Sequence, residues 1–315
     1  MGDVLMVTKK MMEYLLDSAN GLGPICIPSY KRWNAEDNKT LQLIKQCDDD
    51  IKQSTFVFVR QNQYENYKAN FDFVNIVPLP SEIKGLAGTR EYICWYVVNV
   101  LKQDIFMDLD DDLLDLLWMY YNPEKENTRH SVNSERKHSQ IIRLGFNLSK
   151  FIFDREPNTI LGSFRRQRFC QGIDNSQTLA IINRGATPRQ CMFINAKRLF
   201  DRGIHRNMIF DPTGDDVGFC AEILQNGGEL FNIPCLGYEF VDDAVNSVIR
   251  NDDNRRQLAQ YEEQCLMQYD FGKHYMKRTF TFEDGAYKFC DIDWRAYHKL
   301  KGTQPRKIML EELWN

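Results

Sequence analysis

The sequence predicts an α/β fold in which a mixed, mostly parallel sheet is flanked by helices, with a helical appendage at the C-terminal end. Short apolar segments alternate with amphipathic ones along residues 1–240, as in a parallel, helix-covered sheet. Residues 105–107 are apolar at consecutive positions, which is typical of a strand buried on both faces. With 315 residues, 43% hydrophobic and 27% charged, the chain has the composition of a soluble globular protein with a sizeable core.

The predicted elements of the first half alternate between helix and strand. A helix over residues 1–20 is ended by an Asn-Gly-Leu-Gly-Pro turn. β-Branched and aromatic residues mark the strands, and helical spacing of apolar positions marks the helices. In chain order they are a strand at 24–29, a helix at 40–46, a strand at 55–60, a helix at 64–70, a strand at 75–78, a helix at 85–101 and a strand at 105–107.

The second half continues the pattern and then changes in composition. The predicted elements are a strand at 190–195, a helix at 196–202, a helix at 217–225 and a strand at 231–236. Beyond residue 242 come a charged helix at 246–268 and a mixture of aromatic and basic residues. We therefore predict two domains: residues 1–240 hold the sheet and the functional site, and residues 241–315 form a helical C-terminal appendage packed on it.

Charge and cysteine usage exclude several classes of protein. A net charge of −4 provides no global basic field, so binding to a polyanion would need a local patch. The nine cysteines include no CxxC pair, which argues against a zinc cage and favours free thiols in a reducing cytoplasm. No segment reaches the roughly 18 apolar residues of a membrane span. Charged residues interrupt the N-terminal segment, so we expect neither a signal peptide nor a membrane partner.

An acidic cluster follows the apolar strand at 105–107, where open α/β sheets bind their ligands. Its four carboxylates are Asp108, Asp110, Asp111 and Asp112. Side chains alternate along a strand, so Asp111 would point to the opposite side from Asp108, Asp110 and Asp112. If the chain instead turns after Leu109, the set of acids divides, and Asp110 and Asp112 are the expected pair. Crowded carboxylates need a counter-charge, and hard oxygen ligands suit Mg, Mn or Ca. Alternatively, residues 113–118 form an amphipathic helix whose N-terminus the acids cap.

Basic residues at two other positions are candidates for nucleotide contacts. The first strand runs directly into Tyr30, Lys31 and Arg32, where the Lys–Arg pair could face a diphosphate; the alternative is a solvated basic turn. Glycines open the helix at 85–101 and would let a ligand approach the backbone, since helix N-termini attract phosphate. Arg90 is the cation that we expect near the diphosphate, unless this helix is only a packing element.

Two further clusters are candidates for catalysis and for polymer binding. Asp215 and Asp216 precede the helix at 217–225, where the backbone would hold a catalytic base; helix capping is the alternative. Arg165, Arg166 and Arg168 lie among aromatic residues, a combination that suits phosphate contacts and base stacking. The alternative for these arginines is an ordinary basic edge.

Together, four segments resemble nucleotide-sugar glycosyltransferases of the Rossmann-like GT-A fold, over residues 23–240. They are Ile-Pro-Ser-Tyr-Lys-Arg at 27–32, Gly-Thr-Arg at 88–90, the acidic cluster, and Asp215-Asp216 leading into a helix that ends in Gly227-Gly228. The resemblance implies an Asp-x-Asp motif that holds Mn or Mg against the donor's diphosphate. Asp110 to Asp112 match that motif, and Asp108 to Asp110 are the other possible frame.

The same resemblance implies roles for the remaining candidates. In inverting members an acidic residue at a later helix start takes the proton of the acceptor hydroxyl, which maps to Asp215 or Asp216. The implied nucleotide-sugar-binding residues are Pro28, Ser29, Tyr30, Lys31, Arg32, Arg90 and Asp111.

Within the fold, the sequence looks like the phage and kinetoplastid branch called TET/JBP-associated glycosyltransferases. The 27–32 motif, the triple Asp and the Gln-x-Met-Phe-Ile-Asn strand at 190–195 carry this resemblance. It implies transfer of a hexose from a UDP-glucose-like donor to a hydroxymethylated pyrimidine in DNA, as in bacteriophage DNA modification, with the host cytoplasm as location if the chain is viral. The DNA-contacting residues would be Arg165, Arg166 and Arg168, with Lys277 and Arg278.

The sequence leaves three alternatives open. One is a glycosyltransferase with a non-DNA acceptor, which the acidic net charge favours. Another is a metal-dependent nucleotidyltransferase, although its usual Gly-rich first loop is not matched by residues 24–32. The last is a binding module without enzymatic activity, in which the acids only cap helices.

Overall fold

Four parallel strands place the acidic cluster at the edge of the sheet where all four end. The computed structural model describes residues 21–118, 137–167, 170, 180–211, 214–241, 252–269, 276–281, 288–302 and 307–309. The helix predicted over residues 1–20 lies outside these ranges. The α/β fold class is confirmed, and the elements predicted between residues 21 and 240 have the expected type and order, with one exception at 113–118.

The strands are β1 Ile25–Pro28, β2 Thr55–Arg60, β3 Asn75–Leu79, β4 Ile105–Leu109, β5 Leu113–Trp118, β6 Thr159–Arg166, β7 Ala180–Asn183, β8 Cys191–Asn195, β9 Glu229–Phe240, β10 Met276–Thr281, β11 Lys288–Ile292 and β12 Lys307–Met309. The helices are α1 Lys39–Lys45, α2 Asp49–Gln53, α3 Tyr64–Asn70, α4 Gly85–Asn99, α5 His138–Arg155, α6 Ala196–Asp201, α7 Asp215–Gln225, α8 Asp252–Leu266 and α9 Trp294–Leu300.

The order of strands in the main sheet is β12-β7-β9-β6-β8-β4-β1-β2-β3, and β5 pairs with β9. β1 is parallel to β2 and β4, and β2 is parallel to β3. β8 runs antiparallel between β4 and β6, and β9 is parallel to β6. Strands β1 to β4, β6 and β9 therefore end at one edge of the sheet, where β5 and β8 begin; we call it the C-terminal edge.

Helices cover both faces of this sheet, which explains the continuous apolar strands. Along β1, Ile25 and Ile27 face one buried cluster, which includes residues of α1, α3 and α5, whereas Cys26 faces the other. The second cluster includes residues of α4, α6 and α7. On β4, Phe106 faces this second cluster, so the alternation of side chains directs Asp108 towards α4 as well.

The segment at 113–118 is strand β5, not the amphipathic helix of the alternative interpretation. Its leucines have helix-like spacing, but its backbone pairs with β9, with Leu116 opposite Tyr238 and Trp118 opposite Leu236. Tertiary pairing has overridden the local pattern, as happens readily for short apolar segments. The acidic residues 110–112 form the loop between β4 and β5, which we call the acidic loop. Because no helix follows this loop, the capping interpretation of its acids is wrong.

The residues beyond 241 contain strands as well as helices. α8 and α9 account for the helical character predicted there. β10 and β11 form an antiparallel hairpin, and β12 joins the main sheet beside β7; the sequence did not predict these strands. The domain boundary between residues 240 and 241 stays a prediction. No helix within the described ranges has the length and apolarity that a membrane span requires.

Packing at the centre of β6 should make Gly162→Ala destabilising. A Cβ at this position would lie 2.1–2.6 Å from three atoms of the buried Phe231 ring. Overpacking of this kind costs about 1–3 kcal/mol, and we expect that loss in urea unfolding. Gly88→Ala is the matched control: its Cβ would meet nothing closer than 3.8 Å. In helix α4 that substitution should be neutral or stabilising, and equal losses for both variants would contradict the packing described here.

Candidate active site

The guanidinium of Arg90 binds four carboxylates at the C-terminal edge. Its Nε lies 3.1 Å from Asp108 Oδ2, and its Nη2 pairs with Asp110 Oδ1. Its Nη1 donates to Asp215 Oδ2 at 2.8 Å and to Asp216 Oδ1 at 3.1 Å. Arg90 is only 2% exposed. These five residues, which we call the Arg90 cluster, join the end of β4 to the first turn of α7.

Local structure explains how these groups meet. Asp108 is the fourth residue of β4 and faces α4, which carries Arg90 in its second turn. Asp215 and Asp216 are the first two residues of α7, after Gly214 at the N-cap. Their side chains bind Arg90, and the N-cap residue Gly214 has no side chain that could cap the helix. An arginine can serve several carboxylates at once because its planar fork carries five N–H donors.

Asp215 is held more firmly than Asp216. Its Oδ2 also accepts a hydrogen bond of 2.8 Å from Nη1 of Arg206, whose guanidinium lies 3.7 Å from the centroid of the Phe219 ring. Burial favours the neutral acid, but Arg206 and Arg90 outweigh it and hold the pKa of Asp215 below its usual value. Asp216 is 23% exposed and contacts Arg90 alone of these arginines. Asp216 is therefore the carboxylate of the pair that a substrate can reach.

Arg90 does not fully offset the cost of burying the carboxylates of Asp108 and Asp110. Burial raises the pKa of Asp108, against the opposing effect of Arg90 and Arg206. Burial also raises the pKa of Asp110 well above its usual range; Arg90 opposes this, while the charges of Asp112 and Asp216 add to it. Oδ1 of Asp108 is buried and accepts no hydrogen bond from the described residues. The end of β4 is therefore short of positive charge.

Asp111 faces away from Arg90 and ties the acidic loop to the end of β1. Ser29 Oγ donates to its Oδ2 at 2.6 Å, and Arg32 Nη1 donates to its Oδ1 at 2.6 Å. Ser29 in turn bonds the Tyr67 hydroxyl at 2.7 Å and accepts from Asn38 Nδ2 at 3.2 Å. The predicted split, with Asp111 opposite Asp108 and Asp110, is what these contacts show.

The basic turn after β1 is partly solvated. Tyr30 is 42% exposed, and Lys31 Nζ lies 5.2 Å from the centroid of its ring. Lys31 adopts a left-handed backbone conformation, with φ 59°, and its N–H donates to Gln63 Oε1 at 3.0 Å. Pro28 ends β1 and is buried. Lys31 fits the solvated-turn alternative, Arg32 is paired with Asp111, and the nucleotide contacts of this turn stay predictions.

An internal carboxylate occupies the start of α4, where the sequence suggested a phosphate. The N–H of Ala87 donates to Asp211 Oδ1 at 2.9 Å. Gly85 has φ 67°, and a Cβ there would lie 1.5 Å from Asp211 Oδ2, so only glycine fits. The helix N-terminus is thus satisfied by Asp211, and the role of this glycine is close packing against that side chain. Arg90 is likewise engaged with carboxylates, and its contact with a diphosphate stays a prediction.

The predicted polymer-binding arginines share the C-terminal edge with the acids. Arg165 and Arg166 end β6, and the Arg166 guanidinium lies 4.2 Å from the centroid of the Phe240 ring. Burial lowers the pKa of Arg165. Arg168 lies outside the described residues, as do the side chains of Lys277 and Arg278.

Several residues of the site carry no signal in the sequence. Arg206, Tyr67, Asn38 and Asp211 lie outside any motif, and only their folded contacts reveal them. Arg189, directly before β8, is another: it is 37% exposed and its Nη2 lies 3.3 Å from Asp291 Oδ2. A scan for local motifs cannot find such residues, because their partners are distant in sequence.

The donor set fits a divalent cation that is shared with a substrate. Among the described residues, five aspartates, 108, 110, 111, 215 and 216, share three arginines, 32, 90 and 206. Within the described ranges, no three His, Cys, Asp or Glu side chains converge to hold a metal by themselves. Mg²⁺-type sites commonly use one or two carboxylates together with substrate phosphates, which is the arrangement available here.

The sheet order, the acidic loop after β4 and the acid pair at a later helix start define a glycosyltransferase of the GT-A type. Residues 23–237 match the family described as TET-Associated Glycosyltransferase, and the chain belongs to that family. The resemblance inferred from the sequence is therefore confirmed, and the protein is a glycosyltransferase. The alternative of a non-enzymatic binding module is wrong.

Solved structures add a distant likeness. The crystal structure of S. aureus TarS residues 1–349 in complex with UDP has 11% identity and a TM-score of 0.39, covering 79% of this chain and 67% of that one. A crystal structure described as a mycobacterial protein has 11% identity and a TM-score of 0.43, covering 89% and 86%. No curated protein matches the chain. Structural similarity at these identities and TM-scores does not identify the substrates of this chain.

Removal of the Arg90 guanidinium should destabilise the fold. Arg90→Met would leave four carboxylates crowded without their shared cation, and breaking a buried ion pair in this way costs about 3–5 kcal/mol. Urea unfolding measures the loss.

Arg143→Met is the control for that variant, because Arg143 of α5 pairs with the half-exposed Asp48 and Asp50 at the start of α2, outside the Arg90 cluster. Such exposed pairs contribute about 1 kcal/mol or less. If Arg90→Met were as stable as Arg143→Met, the central role of Arg90 would be refuted.

Proposed function

We propose that this glycosyltransferase moves a hexose from a nucleoside diphosphate sugar, with UDP-glucose as the first donor to test, to the hydroxyl of a hydroxymethylated pyrimidine in DNA. The observation that carries the proposal is the Arg90 cluster, which brings the acidic loop and the α7 acid pair together around one guanidinium. Membership of the TET-associated family supports sugar transfer. The DNA acceptor follows from the resemblance of the 27–32 and 190–195 motifs.

The chain's own residues would hold Mn or Mg at the acidic loop. Asp110 and Asp112 are the proposed ligands, with Asp108 as a third carboxylate behind them. When bound, the cation would neutralise charge on the departing diphosphate. The unbalanced carboxylates around Asp110 support this assignment, because like charges so close together favour a cation partner.

The donor's nucleotide is proposed to lie over the end of β1. A hydrogen-bonded rim lies there, formed by Asp111, Ser29 and Arg32. The Arg32 N–H donates to the Tyr67 hydroxyl, which holds this rim in place. Tyr30 and Lys31 project from the same turn with exposed side chains, so they can contact a base or a phosphate. Pro28 sets the point at which β1 ends and this turn begins.

Asp216 is the proposed catalytic base. In an inverting transfer the acceptor oxygen bonds the anomeric carbon, the bond to the diphosphate breaks, and the hydroxyl proton passes to a carboxylate. Asp216 is the partly exposed member of the pair, whereas Asp215 is engaged by two buried arginines. Asp215 then serves to orient Arg90 and α7.

DNA is proposed to lie along the side of the edge that carries Arg165 and Arg166, and Arg168 is the third arginine that the sequence proposes for this contact. The Arg166–Phe240 pair offers a cation and a ring next to each other, which suits contact with a nucleotide. A pyrimidine in a duplex would have to be flipped out to reach Asp216. The eight cysteines described are all unpaired and buried, which supports a reducing location such as the cytoplasm.

A transfer assay tests the proposal. Purified protein with labelled UDP-glucose and Mn²⁺ should label oligonucleotides that contain 5-hydroxymethylcytosine or 5-hydroxymethyluracil, in single-stranded or duplex form, and should leave unmodified oligonucleotides unlabelled. Slow hydrolysis of UDP-glucose without labelling of any oligonucleotide would indicate a non-DNA acceptor. Absence of both reactions with every nucleotide sugar tried would refute the proposed donor.

The two acids of α7 should respond differently to substitution. Asp216→Asn removes the proposed base, so kcat should fall by about 10²–10⁴-fold, while the urea midpoint stays close to that of the wild type. Asp215→Asn leaves two buried arginines short of a carboxylate and should cost about 3 kcal/mol of unfolding free energy. A reversed pattern, with Asp216→Asn active and Asp215→Asn stable but inactive, would reassign the base.

Cation binding should depend on both the donor and the acidic loop. Mn²⁺ should raise the melting temperature only when UDP is also present, because the phosphates complete the ligand set and binding to the folded state alone stabilises it. Asp110→Asn should abolish that shift. Asp115→Asn on the neighbouring strand β5, where Asp115 pairs with His138, is the control and should keep it. An unchanged shift in Asp110→Asn would exclude Asp110 as a ligand.

A further inference from the structure

Arg189 occupies the C-terminal edge next to the acidic loop. It lies in the tight turn that leads into β8, where the Cys191 N–H bonds the Arg189 carbonyl at 2.5 Å and Gln190 has φ 52°. The Gln190 carbonyl accepts the N–H of Asp110 at 2.9 Å, so this turn is attached directly to the acidic loop. A left-handed conformation is uncommon for a residue other than glycine, and here it sets where Arg189 enters the site.

Arg189 is more accessible to a ligand than Arg90, Arg206 and Arg32. Arg90 and Arg206 are 2% and 3% exposed, and Arg32 pairs with Asp111 at 2.6 Å. Arg189 is 37% exposed, and among the described residues it makes one ion pair, 3.3 Å long, with Asp291 of β11. One long contact to a single carboxylate oxygen leaves most of the guanidinium fork available to a ligand.

The charges around Arg189 belong to both parts of the chain. Burial lowers the pKa of Arg189, but Asp291, Asp216 and Glu262 together raise it above the usual value. Asp216, the proposed base, is therefore an electrostatic neighbour of Arg189. A free cationic fork beside a glycosyl-transfer site is suited to a phosphate group, which a guanidinium binds through two parallel hydrogen bonds.

We propose that Arg189 binds a phosphate group of a substrate and that Asp291, contributed by the C-terminal residues, competes with that phosphate for the guanidinium. The phosphate belongs either to the diphosphate of the donor or to the backbone of the acceptor. The inference rests on the proposed function, and it gives β11 a part in substrate affinity. Asp291 is itself held in place, since its Oδ1 accepts from Thr187 Oγ1 and from the Ile292 N–H.

Calorimetric titration of the full chain separates the two sources of phosphate. UDP with Mn²⁺ is one ligand, and an oligonucleotide containing 5-hydroxymethylcytosine, without donor, is the other. Arg189→Gln should weaken binding of one of them by about tenfold, the size of one charge-assisted hydrogen bond. Asp291→Asn should strengthen binding of the same ligand by about threefold, because it removes a competing charge and keeps Oδ1. Arg189→Lys keeps the positive charge but lacks the planar guanidinium, so its affinity for that ligand should lie between those of the wild type and Arg189→Gln.

Opposite effects of Arg189→Gln and Asp291→Asn identify competition; a purely structural pair would weaken binding in both variants. Arg143→Gln and Asp50→Asn are the matched controls from an ion pair between α5 and α2 that includes no residue of the site, and both should bind like the wild type. The inference is refuted if Arg189→Gln binds both UDP and the oligonucleotide as tightly as the wild type does, or if Arg189→Gln and Asp291→Asn both weaken binding of the same ligand. A wild type that binds neither ligand would refute the proposed function as well.

Discussion

One buried guanidinium keeps four carboxylates in place at the C-terminal edge. Arg90 reaches Asp108 and Asp110 at the end of β4 and Asp215 and Asp216 at the start of α7. Carboxylates at this density repel one another and are costly to bury, and a planar fork with five donors is the side chain that can contact all of them. β4 is a strand and α7 is a helix, so the two are not joined by a β-ladder. The contacts of Arg90 hold their carboxylates together, and the geometry of the site therefore depends on Arg90.

The reversal of strand direction at β8 explains why residues far apart in the chain meet there. The parallel strands bring Ser29 and Arg32 after β1 to the same edge as the acidic loop after β4. β8 runs the other way, so its first residues, with the Gln190 carbonyl, start beside that loop. The residues joined around the acidic loop thus come from the ends of β1 and β4, the start of β8 and the start of α7.

Local patterns were enough to predict strands β1 to β4, β8 and β9, helices α1, α3, α4, α6 and α7, and the split of Asp111 from its neighbours. They did not predict the buried strand β6 or the helices α2 and α5. The segment 113–118 could not be predicted, because its helix-like leucines are arranged by pairing with β9, more than 110 residues later. The role of Arg90 is hidden for the same reason: its contact with Asp215 spans 125 residues. β12 gives no signal, since three residues of strand depend on β7 for their conformation.

Asp110 and Asp216 share a single guanidinium, so the contacts of the acidic loop and those at the start of α7 are coupled. A change that draws Asp110 away from Arg90 leaves more of the positive charge to the acids of α7. Such coupling is reciprocal, so a change at the start of α7 also alters what the acidic loop can bind. One buried side chain thus makes two acidic segments from distant parts of the chain respond to each other.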